Sequence, residues 1–184
     1  MNEDRLWAPW RLAYVTGNES SAQSAPQPTK WLPGADESCF LCRAAGEFAA
    51  DSGAEKRLLV IERGAASLVV LNRFPYNNGH LLVAPRRHVG DLSAMNREEN
   101  IECVEQLARL TGLYRKLLNA EGFNVGLNLG RVAGAGLPGH LHWHLVPRWA
   151  GDNNFMPVLA GVRVIPQSLE ALWELLVEAL EAND

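Results

Sequence analysis

Three histidines occupy alternate positions in one short segment, His140-Leu-His142-Trp-His144. The whole chain has only five histidines, so this segment holds most of its imidazole groups. Imidazole is nucleophilic when neutral, cationic when protonated, and changes between these states near neutral pH. A row of imidazoles can therefore attack an electrophile, stabilise developing charge and protonate a leaving group.

The alternation predicts how these side chains are arranged. On a β-strand, residues i, i+2 and i+4 share one face. We predict a strand over 140–149 whose histidines face one way, while Leu141, Trp143 and Leu145 face the core. Three interpretations of the histidine face are open: a solvated surface, a metal site, or a site for chemistry on phosphate.

The segment before the histidines favours phosphate. Residues 130–139 contain four glycines and Arg131, and they end directly at His140. Glycine allows backbone N–H groups to approach an anion closely. A glycine-rich loop alone is a weak signal, but next to three histidines it predicts a phosphate-binding pocket.

The elements that must position this segment can be predicted from periodicity and turn residues. Alternating or apolar runs predict strands over 57–62, 67–73, 79–85, 123–129 and 162–165, in addition to the histidine strand. Helices are predicted over 40–48, over 97–119, and after Pro166. Strands in hairpin-like succession with inserted helices indicate an α+β fold, in which helices pack on one face of an antiparallel sheet of about five strands.

The helix predicted over 97–119 has a clear start and an apolar face. Asn96 and Glu99 have the spacing of a capping box. A buried stripe is predicted from residues at helical spacing: Ile101, Val104, Leu107, Ala108, Thr111, Tyr114 and Leu118.

Composition limits the classes of protein to which the chain can belong. Its 184 residues suit one domain, which we place at 39–184, with a core at 39–152 and a C-terminal strand and helix at 153–184. Residues 1–38 are predicted to form an N-terminal arm and a flexible loop. The net charge of −4 argues against a nucleic-acid partner, and the apolar runs are too short for a membrane span. Three cysteines and no secretory signal predict a cytoplasmic location.

The histidine pattern resembles the signature of the histidine triad (HIT) family, His-φ-His-φ-His-φ-φ with φ apolar. Residues 71–92 and 123–130 also resemble family segments, so the similarity extends over about 39–152. The fragile histidine triad branch and the bacterial diadenosine-tetraphosphate phosphorylase-like branch are the most similar. This resemblance implies a HIT-like fold and an enzyme that cleaves dinucleoside polyphosphates, or related phosphoanhydrides and phosphoramidates. Phosphorolysis of diadenosine tetraphosphate, or slow turnover by a nucleotide sensor, remains open.

The resemblance also implies roles for particular residues. His142 would be the nucleophile that forms a nucleotidyl-histidine, His144 would assist the leaving group, and His140 would orient the pocket or bind metal. Asn72 would contact the ribose, Asn128 the phosphates, and His80 would support the triad. The family resemblance further implies a homodimer that pairs through the central helix and a sheet edge.

Two positions near the triad are ambiguous. Where many family members have a glutamine four residues before the triad, this chain has Gly136, so backbone N–H groups would replace a side-chain donor. This departure keeps phosphate open as the acceptor instead of water. Trp149 would either cover the phosphate pocket or pack as a structural residue.

A pair of cysteines, Cys39 and Cys42, has the spacing of a zinc-binding or redox motif, or simply of a helix start. His88 and His140 could complete a tetrahedral site. Related bacterial triad proteins place a zinc in this way, so the resemblance implies a structural zinc and no organic cofactor.

Overall fold

A computed structural model describes residues 25–50, 52–152 and 165–182. The aromatic N-terminal arm lies outside these residues, as does nearly all of the strand predicted over 162–165. The predicted α+β fold is confirmed: five strands form one antiparallel sheet in the order β1-β2-β3-β5-β4. Their bounds are Val60–Arg63 (β1), Ser67–Leu71 (β2), Leu81–Pro85 (β3), Gly122–Leu127 (β4) and Trp143–Arg148 (β5).

The described helices are Phe40–Ala45 (α1), Ala54–Leu58 (α2), Arg97–Leu117 (α3) and Leu169–Glu181 (α4). The long helices α3 and α4 pack with one face of the sheet in the larger apolar cluster, which includes Leu110 and Leu176. The alternate residues of the central strands, such as Val70 and Leu82, join α1 in a second cluster. The prediction placed helices on one face of the sheet, but α1 also covers the second face. As a result, β2 and β3 are buried along their whole lengths.

The start of the sheet differs from the prediction. The strand predicted over 57–62 begins only at Val60, because α2 occupies the preceding residues. The helix is followed by its C-cap residue Leu59, whose φ of 59° is left-handed. Apolar composition over 57–62 could not distinguish a short helix followed by a strand from one continuous strand.

The capping box of α3 is present, with Asn96 and Glu99 bonded reciprocally. The predicted buried stripe is wrong in part, since Ile101 and Val104 are 44% and 56% exposed and Ala108 is exposed as well. The helix instead buries Cys103 and Leu110, together with Leu107 and Tyr114, which were in the predicted stripe. Glu99 can face inward because Arg87 pairs with its carboxylate through two hydrogen bonds. A charged residue in this helix therefore does not by itself indicate the side that faces solvent.

No helix among the residues that the structure describes is long and apolar enough to cross a membrane.

Candidate active site and metal centre

The histidine segment adopts the predicted alternation, although its strand is shorter than predicted. β5 begins at Trp143, so His140 and His142 precede it, and only His144 is in regular strand pairing. Leu141, Trp143 and Leu145 nevertheless all join the core cluster formed with α3 and α4. The histidines therefore face the side of the sheet that carries α1, and His144 pairs with Leu82 of β3 in the register.

His142 has a fixed ring orientation. Its Nδ1 lies 2.8 Å from the His140 carbonyl oxygen, which can only accept, so Nδ1 carries the proton. The lone pair of the neutral ring is consequently on Nε2. Burial lowers the pKa of His142, so the neutral form is favoured at pH 7. These two features give an imidazole with its lone pair on the nitrogen farther from the backbone.

His144 is held in the opposite tautomer. The Tyr76 backbone N–H donates to Nδ1 of His80 at 3.1 Å, so the proton of neutral His80 is on Nε2. That Nε2–H donates to Nδ1 of His144 at 3.0 Å. Neutral His144 therefore carries its own proton on Nε2, as a donor. His142 and His144 lie side by side, with ring centroids 5.0 Å apart.

His80 itself is fully buried and closely surrounded. The Asn72 amide Nδ2 lies 3.1 Å from His80 Nδ1, and the Tyr76 ring stacks on the imidazole at 4.8 Å. Tyr114 of α3 donates from its hydroxyl to the Gly79 carbonyl, at 2.8 Å. Gly79 has a φ of +74°, and a Cβ there would lie 3.2 Å from the Tyr114 ring, so glycine suits this turn.

The residues Cys39, Cys42, His88 and His140 come together as one group, although they are distant in the sequence. Their ligand atoms all lie within 4.8 Å of one another. His140 Nδ1 is 3.3 Å from Cys39 Sγ, and His88 Nδ1 is 3.1 Å from Cys42 Sγ. A tetrahedral zinc with bonds of about 2.0–2.3 Å sets ligand-to-ligand distances of about 3.5 Å, so the donor set and its size fit zinc.

Hydrogen bonds around this group favour metal binding. His140 Nε2 is 2.8 Å from the Pro85 carbonyl oxygen, so Nε2 carries the proton and Nδ1 presents a lone pair toward the sulfur atoms. The hydrogen bond between the two thiols lowers the pKa of Cys42 to about 4 and raises that of Cys39. Cys42 is therefore the more readily deprotonated of the two cysteines. His140 belongs to both sites, because its ring faces the sulfurs while its carbonyl orients His142.

The remaining residues predicted for substrate binding are placed as follows. The Asn72 amide lies between His80 Nδ1, 3.1 Å from its Nδ2, and the Phe74 N–H, from which its Oδ1 accepts. Asn128 is half-buried directly after β4, whose last residue, Leu127, pairs with Trp143. Gly136 is exposed in the loop that leads to His140.

The contacts of Trp149 favour the second alternative, in which it packs as a structural residue. Its indole N–H donates to the Leu118 carbonyl at 3.0 Å, and the side chain packs against the core cluster. An indole N–H used in this way does not bind phosphate, so covering the phosphate pocket is not supported by these contacts.

The glycine-rich loop is less open to an anion than its composition predicts. Residues 131–133 form a short 3₁₀ turn, and the N–H groups of 133, 134 and 135 all bond to carbonyls within the loop. Next to His140, residues Gly136, Leu137 and Gly139 carry N–H groups that could face a phosphate, whereas Pro138 carries none.

Sequence reasoning missed Tyr76 and Tyr114. Tyr76 contributes a backbone N–H, which any residue type except proline carries, so its role has no sequence signal. Tyr114 was assigned to the buried stripe of the helix, and a long-range contact of its hydroxyl could not be read from spacing.

Comparisons with known proteins agree with this geometry. A model of the HIT domain matches residues 54–151. A Mycobacterium tuberculosis protein named AP-4-A phosphorylase is 37% identical over 177 residues, which cover 94% of this chain and 82% of that protein. A zinc-bound histidine triad family protein from Mycobacterium smegmatis has a TM-score of 0.56 at 31% identity, covering 68% of this chain and 86% of that chain.

A Plasmodium falciparum diadenosine triphosphate hydrolase also has a TM-score of 0.56. It covers 67% of this chain and 77% of that chain at 19% identity, so it shows the shared fold alone. Taken with the domain match and the mycobacterial relative, the triad geometry leads to one conclusion: this chain belongs to the histidine triad (HIT) family of nucleotide hydrolases and nucleotidyltransferases.

Proposed function

We propose that this protein cleaves dinucleoside polyphosphates by transferring a nucleotidyl group through His142. The observation that carries the proposal is the pair of opposite tautomers on neighbouring rings. His142 presents an Nε2 lone pair because Nδ1–H is bonded to the His140 carbonyl. His144 presents an Nε2–H because its Nδ1 accepts from His80. A nucleophile beside a proton donor is the arrangement that a displacement at phosphorus requires.

In the first step, His142 Nε2 attacks the α-phosphorus and forms a P–N bond. The P–O bond to the rest of the polyphosphate breaks, and its electron pair goes to the leaving oxygen. His144 Nε2–H donates to that oxygen and stabilises its negative charge. In the second step, an acceptor oxygen attacks the nucleotidyl-histidine, the P–N bond breaks, and His142 is regenerated.

The name of the mycobacterial relative supports inorganic phosphate as the acceptor, and diadenosine tetraphosphate as the substrate. Phosphate would give ADP and ATP, whereas water would give AMP and ATP. Asn128 would contact the phosphates because it follows Leu127, which pairs with Trp143 of the triad segment. The loop residues around Gly136 would also contact them, since they lead directly to His140. A sensor with slow turnover would instead accumulate the nucleotidyl-histidine.

Product analysis tests this function directly. The purified protein is incubated with diadenosine tetraphosphate, with and without phosphate, and the nucleotides are identified by mass spectrometry. We expect ADP and ATP when phosphate is present. His142→Ala should lower turnover by about 10³-fold or more and abolish the covalent adduct that we expect to isolate from the wild type after alkaline quenching. Full turnover by His142→Ala would refute the assigned nucleophile.

We also propose that Cys39, Cys42, His88 and His140 hold one structural zinc ion. Thiolate and imidazole are the ligands that zinc prefers, and four protein ligands leave no position for substrate. The bound ion would link α1 to the loop ends that carry His88 and His140. Free thiols at all three cysteines also suit a cytoplasmic protein.

Elemental analysis of the purified protein tests the metal site. We expect about one zinc per chain, and Cys39→Ser should lose it, with the free energy of unfolding falling by roughly 3 kcal/mol or more. Cys103→Ser is the matched control, because Cys103 is equally buried but lies on α3, outside the group. Absence of zinc from the wild type, or full zinc in Cys39→Ser, would contradict the assignment.

The partner that we propose is a second copy of this chain. Ile101 and Val104 expose apolar surface on α3, and Val125 is 49% exposed on β4, an edge strand of the sheet. An edge strand has unpaired backbone groups that a second chain can cover. These surfaces lie on the two elements that a homodimer would pair.

A further inference from the structure

The two cysteines at the start of α1 lie within reach of each other. Cys39 is the N-cap residue, and the backbone N–H of Cys42 donates to Cys39 Sγ at 3.4 Å. The two Sγ atoms are within 4.8 Å of each other. Cα atoms three residues apart at a helix start are about 5–6 Å apart, which lies inside the range that a disulfide spans. The pair can therefore close into a disulfide with little movement of the backbone.

The third cysteine is kept away from this pair by the sheet. The structure describes all three cysteines of the chain, and all three are free thiols. Cys39 and Cys42 belong to the apolar cluster on the α1 side of the sheet, whereas Cys103 belongs to the cluster formed with α3 and α4. Within one chain, oxidation can therefore join Cys39 only to Cys42.

The group of ligand side chains is open on one side. Cys39, Cys42 and His140 are buried, whereas His88 is only half-buried. The Nε2 edge of the His88 ring lies against Gly139, where a Cβ would be 3.2 Å from that nitrogen. Glycine has no side chain to cover this edge, so a molecule as small as hydrogen peroxide reaches the sulfurs most directly past His88.

We propose that Cys39 and Cys42 form a reversible thiol–disulfide site, in which oxidation by hydrogen peroxide releases the bound zinc ion. This inference rests on the proposed metal site. Thiolate is the form of cysteine that binds zinc, so a disulfide and a bound ion exclude each other. With both sulfurs withdrawn, His88 and His140 alone are too few ligands for a structural zinc site.

The oxidation is balanced by one molecule of hydrogen peroxide. One thiolate sulfur attacks a peroxide oxygen, the O–O bond breaks, and its electron pair leaves with a hydroxide ion, which gives a sulfenic acid. The second thiolate attacks the sulfenic sulfur, the S–O bond breaks, and a second hydroxide ion leaves. Two sulfurs have then lost two electrons in total, the peroxide has gained them, and zinc is left without its sulfur ligands.

The oxidised protein is expected to stay folded but to be less stable. Leu41 and Ala45 hold α1 in its apolar cluster whether or not a metal is bound. The stability that the ion adds by binding only to the folded chain is lost, and a disulfide that closes so short a loop replaces little of it. The oxidation state of the pair therefore sets how firmly α1 is attached to the loop ends that carry His88 and His140.

The experiment treats the zinc-loaded protein with hydrogen peroxide in the presence of a chromogenic zinc indicator. We expect release of about one zinc per chain. Thiols counted after denaturation should fall from three per chain to the single thiol of Cys103. Trypsin cleaves after Lys30 and Arg43, so one peptide, 31–43, carries both cysteines, and it should become lighter by two hydrogens.

Two variants and one reversal serve as controls. Cys103→Ser keeps the pair, so it should release zinc as the wild type does and end with no thiol. Cys42→Ser should never give the lighter peptide, because Cys39 has lost its partner. Treatment of the oxidised wild type with dithiothreitol and zinc should restore all three thiols and the bound ion.

Several results would overturn the proposal. These are retention of zinc and of all three thiols after peroxide, a disulfide that forms only in zinc-free protein, or a peptide 31–43 made heavier by oxygen and not restored by dithiothreitol. Faster loss of the Cys103 thiol than of the pair would do the same. If the purified wild type held no zinc and took up none, the proposed metal site would fail and zinc release with it, whereas the peptide mass would still show whether the pair closes.

Discussion

His142 and His144 are the same residue type, two positions apart, but their neighbours give them different chemistry. A carbonyl can only accept, so the His140 oxygen draws the proton of His142 to Nδ1. The Nε2–H of His80 can only donate, so Nδ1 of His144 is left without a proton. Which ring presents a lone pair at Nε2 and which presents an N–H there is therefore decided by one hydrogen bond to each.

Neighbouring groups also decide the protonation of Asp152, a residue with a structural role. It accepts from Arg148 Nε at 2.6 Å and from Asn77 Nδ2 at 2.8 Å, and it therefore links the turn before His80 to the end of β5. These contacts, the Arg148 guanidinium above all, lower the pKa of Asp152 to about 2.

A depressed carboxyl pKa predicts how stability depends on pH. The unfolded chain binds the Asp152 proton near pH 3.8, so the contribution of the carboxylate is complete above about pH 5 and is lost as pH falls toward 2. Asp152→Asn should lower the free energy of unfolding by about 1–2 kcal/mol at pH 7, and the difference from wild type should shrink toward zero near pH 2.

Urea unfolding at a series of pH values measures this difference. Glu178→Gln, at an exposed position on α4, serves as the control and should follow the wild type throughout. A gap between Asp152→Asn and wild type that stayed constant down to pH 2 would show that the carboxylate charge is not its cause.

At the scale of elements, α3 contributes more than its apolar face. Its N-terminus is capped by Asn96 and Glu99, as the sequence predicts. Near its C-terminus, Tyr114 is completely buried and reaches across to the Gly79 carbonyl, next to His80. The helix thereby supports the turn that carries the histidine behind the triad.

Removal of this hydroxyl should destabilise the protein measurably. Tyr114→Phe leaves the Gly79 carbonyl buried without its donor, so we expect the free energy of unfolding to fall by about 1–2 kcal/mol. Thr111→Ala is the comparison, because the Thr111 hydroxyl donates to the Ala108 carbonyl at an exposed position on the same helix. This substitution should change the free energy of unfolding by less than about 0.5 kcal/mol. Equal unfolding curves for Tyr114→Phe and wild type would mean that the contact adds no stability.

At the scale of the whole molecule, the sheet is covered unevenly. One face of β2 and β3 is covered by α3 and α4, and the other by α1. The outer surface of α3 and the edge strand β4 expose apolar side chains instead. Exposed apolar surface of this kind often marks a site of association.

The proposed homodimer can be tested by a charge on this surface. Val104→Asp places a carboxylate where Val104 is 56% exposed, so burying it in an interface would be costly, while the monomer fold should tolerate it. We expect light scattering to show a dimer for the wild type and a monomer for Val104→Asp. Glu105→Gln, the neighbouring exposed position, should stay dimeric. A monomeric wild type at the same concentration would exclude the proposal.

The sequence by itself determined the features that depend on neighbours along the chain. Strand alternation placed Leu141, Trp143 and Leu145 in the core, and the spacing of Asn96 and Glu99 specified a capping box. The spacing of the three histidines was sufficient to indicate the family. Each of these depends on contacts within a few residues, where backbone geometry alone decides which side chains meet.

Only the tertiary structure decided the features that join distant segments. Cys39 and His140 are 101 residues apart, and His80 and His144 are 64 apart, yet both pairs are in contact. The face that α3 buries, the partners of Asn72 and the packing of Trp149 depend in the same way on how the elements come together. The tautomer of each histidine follows from these contacts, because a proton on an imidazole is placed by whichever donor or acceptor the fold brings within about 3 Å.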